Sequence, residues 1–368
     1  MIIGAIIFLI IYSVINYLIG NRLLKSFREF GRINKKAFWF IYIPISYFYI
    51  IYTIFNKVFP KSINTFLAFI GSYYLIILFY LIIFFSISFI INYFLRNKKI
   101  KYDLYFISFL LSFILLSIGI YNARMTHITN YDIKIGKKLN EPLSIALVSD
   151  IHLGNIIGNY RLKSMVKELN NLNADLIVIA GDLIDSDLKP VIKNNLLDQL
   201  KNIKSKFGTY FTLGNHEFYT DEIDKVVKLV DNTGVKTIRD NILLIHNSFY
   251  LIGRDDANNY NNYSRKSIEE IVSKVPDFDK NKPVILIDHN PDYIDESISN
   301  NIDLQLSGHT HNGQIFPLNI IAKSVFPLNK GYKKLDNTNL IVSSGYGTWG
   351  PQVRICSKSE IVLINLHN

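Results

Sequence analysis

Hydrophobic positions divide the chain into a first third of long apolar stretches and a remainder in which short apolar runs alternate with polar segments. The long stretches cover residues 2–19, 38–55, 63–95 and 104–120. A helix needs roughly 17 to 25 apolar residues to cross the hydrocarbon core of a bilayer. The pattern therefore predicts an all-α transmembrane region of about four helices over residues 1–120. The third stretch exceeds one upright span, so that its start at 63–74 could lie in the interface or re-enter the membrane.

The remaining two-thirds of the chain has the pattern of an α/β domain. Short apolar runs, typical of buried strands, lie at residues 143–148, 176–180, 210–213, 284–287, 303–306, 340–343 and 360–366. Between the first two runs, Leu162, Met165, Val166, Leu169 and Leu172 recur at helical spacing and predict an amphipathic helix. The runs 242–245 and 249–252, with Asn247-Ser248 between them, predict a hairpin. We expect one domain over 142–368, joined to the apolar region by a hinge at 121–141.

The net positive charge of the chain would suggest nucleic-acid binding, but its distribution along the sequence does not support that function. The formal net charge is +10, but residues 1–120 hold 12 Lys/Arg and 2 Asp/Glu, whereas residues 121–368 hold 28 of each. The α/β domain has no basic excess, so no nucleic-acid partner is expected. The single cysteine, Cys356, excludes an intrachain disulfide and a thiolate-rich metal site.

Basic residues in the short loops of the apolar region predict its orientation. The loops 20–37 and 96–103 carry ten of them, namely Arg22, Lys25, Arg28, Arg32, Lys35, Lys36, Arg96, Lys98, Lys99 and Lys101. Only Lys57 and Lys61 flank the loop between the second and third stretches. Short loops rich in Lys and Arg stay in the cytoplasm, so we expect a multi-pass cell-membrane protein whose α/β domain lies outside the cytoplasm. Two spans hidden in 63–95 would reverse this orientation.

Five polar blocks directly follow five of the apolar runs. They are Asp150-Ile151-His152, Gly181-Asp182-Leu183-Ile184-Asp185, Gly214-Asn215-His216-Glu217, His289 and Gly308-His309-Thr310-His311. In open α/β sheets the carboxyl ends of neighbouring strands converge on one crevice, where distant residues can meet. Carboxylate, imidazole and amide groups without thiolates suit Mn, Fe or Zn. Two such ions, roughly 3.5 to 4 Å apart, share a bridging carboxylate and lower the pKa of a water, so that hydroxide can attack phosphorus.

The blocks resemble, in order, the pattern of the calcineurin-like metallophosphoesterase superfamily over about residues 143–366. The resemblance implies a four-layer α/β/β/α sandwich. It implies a first metal ion bound by Asp150, His152, Asp182 and His311. It implies a second bound by Asp182, Asn215, His289 and His309. His216 matches the catalytic histidine of the family, Glu217 would orient it, and Asp185 is expected beside the ligands rather than among them.

A glycine-rich segment at residues 343–354 is a further candidate. Its aromatic residues and single arginine suggest a loop over the site in which Tyr346, Trp349 and Arg354 contact substrate. The equal alternative is a structural turn around a core tryptophan. The segment is similar to one in a membrane-associated branch of the superfamily, the wall-associated phosphodiesterases and UDP-2,3-diacylglucosamine pyrophosphatases.

Together these patterns predict a membrane-anchored phosphoesterase that uses two divalent metal ions to hydrolyse phosphodiester, pyrophosphate or phosphomonoester bonds. Its expected partners are the lipid bilayer and a phosphate ester, lipid-linked or wall-linked. One alternative is a pyrophosphatase acting on a lipid substrate of the UDP-diacylglucosamine type. The other is a non-catalytic metal-binding scaffold of the same fold, although scaffolds often lose the histidine that is present here as His216.

Overall fold

The computed structural model describes residues 2–56, 58–95, 98–257 and 264–368. Two compact units, Met1–Ile118 and Gly119–Asn368, make up the chain. Of the basic residues that predict the orientation, Lys57 and Arg96 lie outside the described residues.

The first unit consists of long apolar helices. They are α1 Ile2–Phe30, α2 Lys35–Phe55, α3 Lys61–Leu95 and α4 Lys98–Arg124, the last of which ends in the second unit. All four are long and apolar enough to cross a membrane. The stretch at 63–95 forms one continuous helix of 35 residues in α3, so neither a re-entrant start nor a second span is found there. Within the described residues the count of candidate spans is therefore even.

Close backbone contacts and buried polar groups hold the helices of this unit together. A Cβ added at Gly71 of α3 would lie 2.4 Å from the backbone nitrogen of Tyr49 in α2. Small residues permit this kind of approach between helices in membranes. The buried hydroxyl of Tyr74 donates a hydrogen bond to Asn16 Oδ1, whose amide group donates to the carbonyl oxygen of Tyr12. Polar groups without water must find such internal partners.

The second unit contains two six-stranded sheets. The first has the order β1-β12-β2-β3-β4-β5 and the second β10-β11-β9-β8-β7-β6. The strands are β1 Thr126–Lys134, β2 Leu143–Val148, β3 Leu176–Ala180, β4 Thr209–Thr212, β5 Lys236–Thr237, β6 Asn241–Ile245, β7 Phe249–Arg254, β8 Val284–Asp288, β9 Leu304–Ser307, β10 Gly331–Leu335, β11 Thr338–Val342 and β12 Ser359–His367. The helices are α5 Asn159–Asn171, α6 Leu188–Lys193, α7 Asn215–Phe218, α8 Ile223–Asp231, α9 Ile268–Val272, α10 Ile294–Ser299 and α11 Leu318–Val325.

Alternating side chains on the strands build the layers. Ile145, Leu147 and Val178 of the first sheet share one core with Leu251 and Ile285 of the second. The opposite face of the first sheet packs against α5 and α8, and that of the second sheet against α9. Because buried strands present apolar residues to both sides, these runs have little polar alternation. The arrangement confirms the predicted α/β/β/α sandwich and its preceding helical region.

The segment at 121–141 contains an edge strand rather than a hinge. Strand β1 pairs in parallel with β12 from Thr126 to Lys134. Most of its side chains are exposed or only half-buried. Because the strand buries so little, its sequence has no apolar run, and the hinge expected from the pattern was wrong. The predicted amphipathic helix and the hairpin are confirmed as α5 and as β6 with β7.

Candidate metal centre

The five polar blocks lie at the carboxyl ends of strands that are neighbours in the two sheets. Strands β2, β3 and β4 are parallel neighbours in the first sheet, and β8 and β9 in the second. The loops that follow them are joined by backbone hydrogen bonds, such as His152 N–H to Asp182 O at 3.0 Å and Gly308 N–H to His289 O at 2.9 Å. The sheet topology therefore brings all five blocks to one place.

Five of the predicted metal ligands have a left-handed backbone conformation. Their φ angles are 52° at Asp150, 54° at His152, 52° at Asp182, 69° at His309 and 49° at His311. This conformation costs a non-glycine residue on the order of 1 kcal/mol and persists where surrounding structure enforces it. Because this conformation is concentrated on predicted metal ligands, we infer that the fold imposes the directions of their side chains.

Glycines leave the space that these ligands occupy. A Cβ at Gly214 would lie 2.2 Å from Asp182 Oδ1, and one at Gly308 would lie 2.4 Å from Asp150 Oδ2. Any larger residue at either position would displace a carboxylate of the centre. The glycines of the Gly-Asn-His-Glu and Gly-His-Thr-His blocks thus have a steric role.

One cluster of donor atoms comprises Asp150, His152 and His311. His311 Nε2 lies 3.1 Å from His152 Nε2 and 3.3 Å from Asp150 Oδ1. Burial lowers the pKa of His152 to about 4 and holds the pKa of His311 well below its usual value. Both imidazoles are therefore neutral near pH 7, as nitrogen ligands of a metal ion must be.

A second cluster comprises Asp182, Asn215, His289 and His309. His289 Nε2 lies 3.2 Å from both Asp182 Oδ2 and Asn215 Oδ1, and His309 Nδ1 lies 2.9 Å from Asn215 Oδ1. His289 Nδ1 lies 2.7 Å from the carbonyl oxygen of Ala180, to which it can donate a hydrogen bond. Burial alone would lower the pKa of His289, but the charge and hydrogen bond of Asp182 hold that pKa well above its usual value, so a bound ion would take the place of the Nε2 proton. Burial lowers the pKa of His309 to about 4, so this ring is neutral.

Asp182 lies between the two clusters. Its Oδ2 atom is 3.2 Å from His289 Nε2 in one and 3.9 Å from His152 Nε2 in the other. Burial alone would raise the pKa of this carboxyl, but the charge and hydrogen bond of His289 hold the pKa below its usual range. Asp182 is therefore an anion within reach of both groups of nitrogen atoms.

The donor set fits divalent cations. Two buried carboxylates, one amide oxygen and four buried or nearly buried imidazoles converge with lone pairs that face one another. Buried charges and lone pairs of this kind are stable only with a partner, and nitrogen and oxygen donors are those that Mn, Fe and Zn accept.

The sequence model of the calcineurin-like phosphoesterase family matches residues 143–313, which include all five blocks. A metallophosphoesterase of Helicobacter pylori is 30% identical over 379 residues, covering 98% of this chain and 97% of that protein. One of Campylobacter jejuni is 31% identical over 372 residues, covering 97% and 96%. The chain belongs to the calcineurin-like metallophosphoesterases. It is therefore a metal-dependent phosphoric ester hydrolase.

Similarity to a protein named as a transmembrane metallophosphoesterase supports membrane association of this chain. The "transmembrane protein with metallophosphoesterase domain" of Danio rerio is 32% identical over 250 residues, which are 63% of this chain and 55% of that protein. The chain thus spans nearly the whole of the Helicobacter and Campylobacter proteins and about half of the fish protein. Together with the four apolar helices, this likeness indicates a membrane-associated metallophosphoesterase.

His216 of the metallophosphoesterase lies at the edge of the centre, with its side chain 20% exposed. Its Nδ1 atom is 3.3 Å from Asp185 Oδ1, and its Nε2 atom is 4.0 Å from Asp182 Oδ2. Burial alone would lower the pKa of His216, but the hydrogen bond with Asp185 and the charge of Asp182 raise it to about 9. The raised pKa and the partial exposure leave this ring able to give a proton beside the predicted ligands.

Glu217 does not orient His216, contrary to the expectation from the sequence. Its buried carboxylate accepts hydrogen bonds from the backbone N–H groups of Asp182 at 3.0 Å, Ile184 at 2.9 Å and Gly214 at 2.8 Å. The side chain of Glu217 points from the one-turn helix α7 into the protein interior, whereas the side chain of His216 points towards solvent. Glu217 therefore ties two of the ligand loops together, and Asp185 is the carboxylate next to His216.

Arg354 does not face a phosphate-binding space, so the expectation of direct substrate contact was wrong for this residue. Its side chain is wholly buried and donates hydrogen bonds to the carbonyl oxygens of Gly345 at 3.1 Å and Gly347 at 2.6 Å. Its Nη2 atom also lies 3.3 Å from His311 Nδ1. A buried guanidinium needs such partners. Arg354 fastens the glycine-rich loop behind a predicted ligand, where its charge disfavours protonation of His311.

The two aromatic residues of the same loop, Tyr346 and Trp349, differ in their exposure to solvent. Tyr346 is buried, with the Arg161 guanidinium 4.0 Å from its ring centroid and its hydroxyl donating to the carbonyl oxygen of Arg161. It is a core residue, so substrate contact is wrong for it as well. Trp349 is 58% exposed, which excludes the alternative of a core tryptophan. Of the three candidate substrate contacts, only Trp349 stays available.

Tyr219 is a residue of the centre that sequence reasoning missed. The Asn215 amide donates a hydrogen bond to the Tyr219 hydroxyl at 3.2 Å, which turns Asn215 Oδ1 towards His289 and His309. The Tyr219 and His216 ring centroids lie 5.1 Å apart. The only signal in the sequence is the spacing of four residues from Asn215, which brings two side chains together on a helix.

Proposed function

We propose that this metallophosphoesterase binds two divalent metal ions and hydrolyses phosphodiester or pyrophosphate bonds at the surface of a membrane. The position of Asp182 between two clusters of imidazole nitrogens carries the proposal. One ion would be bound by Asp150, His152, Asp182 and His311. The other would be bound by Asp182, Asn215, His289 and His309. The nitrogen and oxygen donors favour Mn, Fe or Zn.

The side chains divide the chemistry among them. Two bound ions would supply Lewis acidity, lowering the pKa of a water and neutralising charge on the phosphoryl oxygens. His216 is the group placed to give a proton to the departing oxygen, because its ring lies beside the predicted ligands and is partly open to solvent. Asp185 holds the Nδ1 side of that ring, so that Nε2 is directed towards Asp182.

The position of His216 favours a catalyst over a scaffold. An alkoxide or a phosphate that leaves from a diester or pyrophosphate benefits from protonation as the bond breaks. A scaffold that only binds metal has no use for an imidazole that Asp185 holds beside its ligands. The observed surroundings of His216 therefore support hydrolysis of a bond whose leaving oxygen needs a proton.

The test is the metal dependence of hydrolysis by the full chain in detergent or nanodiscs. After chelation we expect no turnover of bis-p-nitrophenyl phosphate, and full recovery when Mn²⁺ is added, with two ions per chain by elemental analysis. Turnover that persists after complete chelation would contradict the mechanism. Binding of two ions without hydrolysis of diesters, pyrophosphates or monoesters would instead favour the scaffold.

We further propose that the metal centre lies outside the cytoplasm in a multi-pass cell-membrane protein. Ten basic residues in two loops against two in the third support this orientation, as does the even number of candidate helices. Cys356 is the only cysteine and is exposed, so its labelling shows on which side of the membrane the α/β domain lies. We expect a membrane-impermeant maleimide to label intact cells, with Cys356→Ser as the unlabelled control. Labelling only after lysis would reverse the orientation.

A further inference from the structure

Helix α11 presents an apolar side to solvent directly after the Gly-His-Thr-His block. Ile320 is 58% exposed, Ile321 57% and Val325 63%, and the three lie within half a turn of each other around the helix. Phe316 and Trp349 are also exposed. Trp349 is joined to this region because its backbone exchanges two hydrogen bonds with the Gln314 side chain. We call these five residues the docking face. Clustered exposed apolar residues mark interaction sites.

The docking face is continuous with the metal centre. A Cβ at Gly313 would lie 2.4 Å from the backbone nitrogen of Asn319, so α11 packs directly on the turn that follows His311. The ring centroids of His309 and Phe326, the residue after α11, are 5.8 Å apart. The docking face therefore belongs to the segment that packs directly after two predicted metal ligands.

Lysines predominate among the exposed charged residues of the segment that carries the docking face. Four lysines and one acidic residue, Asp336, are exposed between residues 304 and 359, whereas Arg354 is buried and Lys330 pairs with Glu360. Lys323, Lys333, Lys334 and Lys358 are exposed. Exposed lysines beside an apolar helical side are typical of helices that lie in the interface of a bilayer with anionic lipids.

We propose that the docking face inserts into the bilayer interface, so that the metal centre takes its phosphate ester from a membrane lipid. This rests on the proposed phosphoesterase function and adds its substrate class. The chain carries its own candidate spans, so a bilayer is always present at high effective concentration, and weak insertion suffices. A second copy on the same face would bring two sets of lysines together, which their charges oppose.

The predicted substrate follows from this placement. Its phosphate lies at the level of the lipid headgroups, and its acyl or prenyl chain stays in the bilayer beside α11. A water-soluble nucleotide or sugar phosphate could stack on Phe316 or Trp349 but would leave the apolar residues Ile320, Ile321 and Val325 in water. The structure thus favours a lipid phosphodiester or lipid pyrophosphate.

Trp349 is a direct reporter for insertion. The chain has two tryptophans, and Trp39→Phe leaves Trp349 alone. In nanodiscs of phosphatidylglycerol with brominated acyl chains, we expect the fluorescence of Trp349 in the full chain to be quenched relative to unbrominated lipid. Ile320→Ser, Ile321→Ser and Val325→Ser together should abolish that quenching. Ile192→Ser, a matched change of an apolar residue 40% exposed on α6, should preserve it.

Two other results would overturn the proposal. Trp349 that is open to acrylamide in water and insensitive to brominated lipid would show a face exposed to solvent. Trp349 shielded from both quenchers would show that a protein partner or a second copy covers the face.

Hydrolysis in the same nanodiscs tests lipid selection by the docking face separately from the phosphoesterase activity on which it rests. We expect the triple variant to lower the ratio of lipid pyrophosphate turnover to bis-p-nitrophenyl phosphate turnover on the order of 10-fold, through lost interfacial contact. An unchanged ratio would overturn lipid selection by the docking face. If the wild type with bound metal hydrolyses neither substrate, the proposed function fails even where Trp349 is quenched.

Discussion

Replacement of Asp182 by asparagine is expected to remove tight metal binding and hydrolysis together. Asp182 Oδ2 is the atom that approaches both His289 and His152, at 3.2 and 3.9 Å. Without its charge, the two clusters lose their shared anion, and mutual repulsion of two cations is no longer offset between them. We expect metal content to fall from two ions to at most one per chain, and turnover to fall to background.

Asparagine is the informative substitution because it preserves the backbone. Asp182 has a φ of 52°, a left-handed conformation that Asn adopts readily and Ala does not. Asn also retains a side-chain oxygen that can accept the hydrogen bond from the backbone N–H of His216, which Asp182 Oδ1 accepts at 2.8 Å. Asp182→Ala, by contrast, combines loss of the ligand with backbone strain. Elemental analysis and bis-p-nitrophenyl phosphate turnover would measure both variants.

A matched control for this substitution is Asp187→Asn. Asp187 caps the amino end of α6 through a hydrogen bond from Lys189 N–H, and asparagine caps equally well. We expect two ions and wild-type turnover in this variant. Asp182→Asn protein that retains two tightly bound ions and full turnover would refute the bridging role.

His216→Ala should leave both metal ions in place and lower turnover by on the order of 10² to 10⁴, the usual contribution of general acid catalysis. His216 belongs to a possible three-residue group with His152 and Asp182. Its Nε2 atom, however, is 4.0 Å from Asp182 Oδ2, farther than the 3.2 Å of His289. The geometry therefore favours a proton donor over a ligand.

The leaving group distinguishes the two roles of His216. A p-nitrophenolate departs readily without a proton, whereas an alkoxide needs one. We expect His216→Ala to slow hydrolysis of an alkyl diester much more than that of bis-p-nitrophenyl phosphate, at unchanged metal content. Equal slowing of both substrates with loss of one ion would instead make His216 a ligand.

The strands that carry the centre could be predicted because each is buried on both sides. Leu143–Val148 and Leu176–Ala180 are continuous apolar runs with the bounds expected from the sequence. Strand β1 could not be predicted, because an edge strand such as Thr126–Lys134 needs few apolar residues. Its backbone pairing with β12 stabilises a sequence that otherwise has the composition of a linker.

The directions of individual side chains were beyond the sequence. In α7, His216 and Glu217 are adjacent, and their order says nothing about which faces Asp185 and which faces the backbone of Ile184. Arg354 was misassigned because carbonyl oxygens satisfy its guanidinium, and carbonyl groups have no sequence signature. The exposed side of α11 was missed because its apolar residues have the pattern of a core helix.

The left-handed backbone at five predicted ligands limits what mutation can place there. Asp150, His152, Asp182, His309 and His311 occupy a region that Asn, Asp, His and Gly tolerate and that β-branched residues avoid. A substitution at these positions must therefore first be compatible with the left-handed backbone, and only then does its effect on metal binding matter. A descendant that loses its metals while keeping this fold is expected to carry Asn or Gly at these positions, and the loss of catalysis can occur in single steps without loss of the protein.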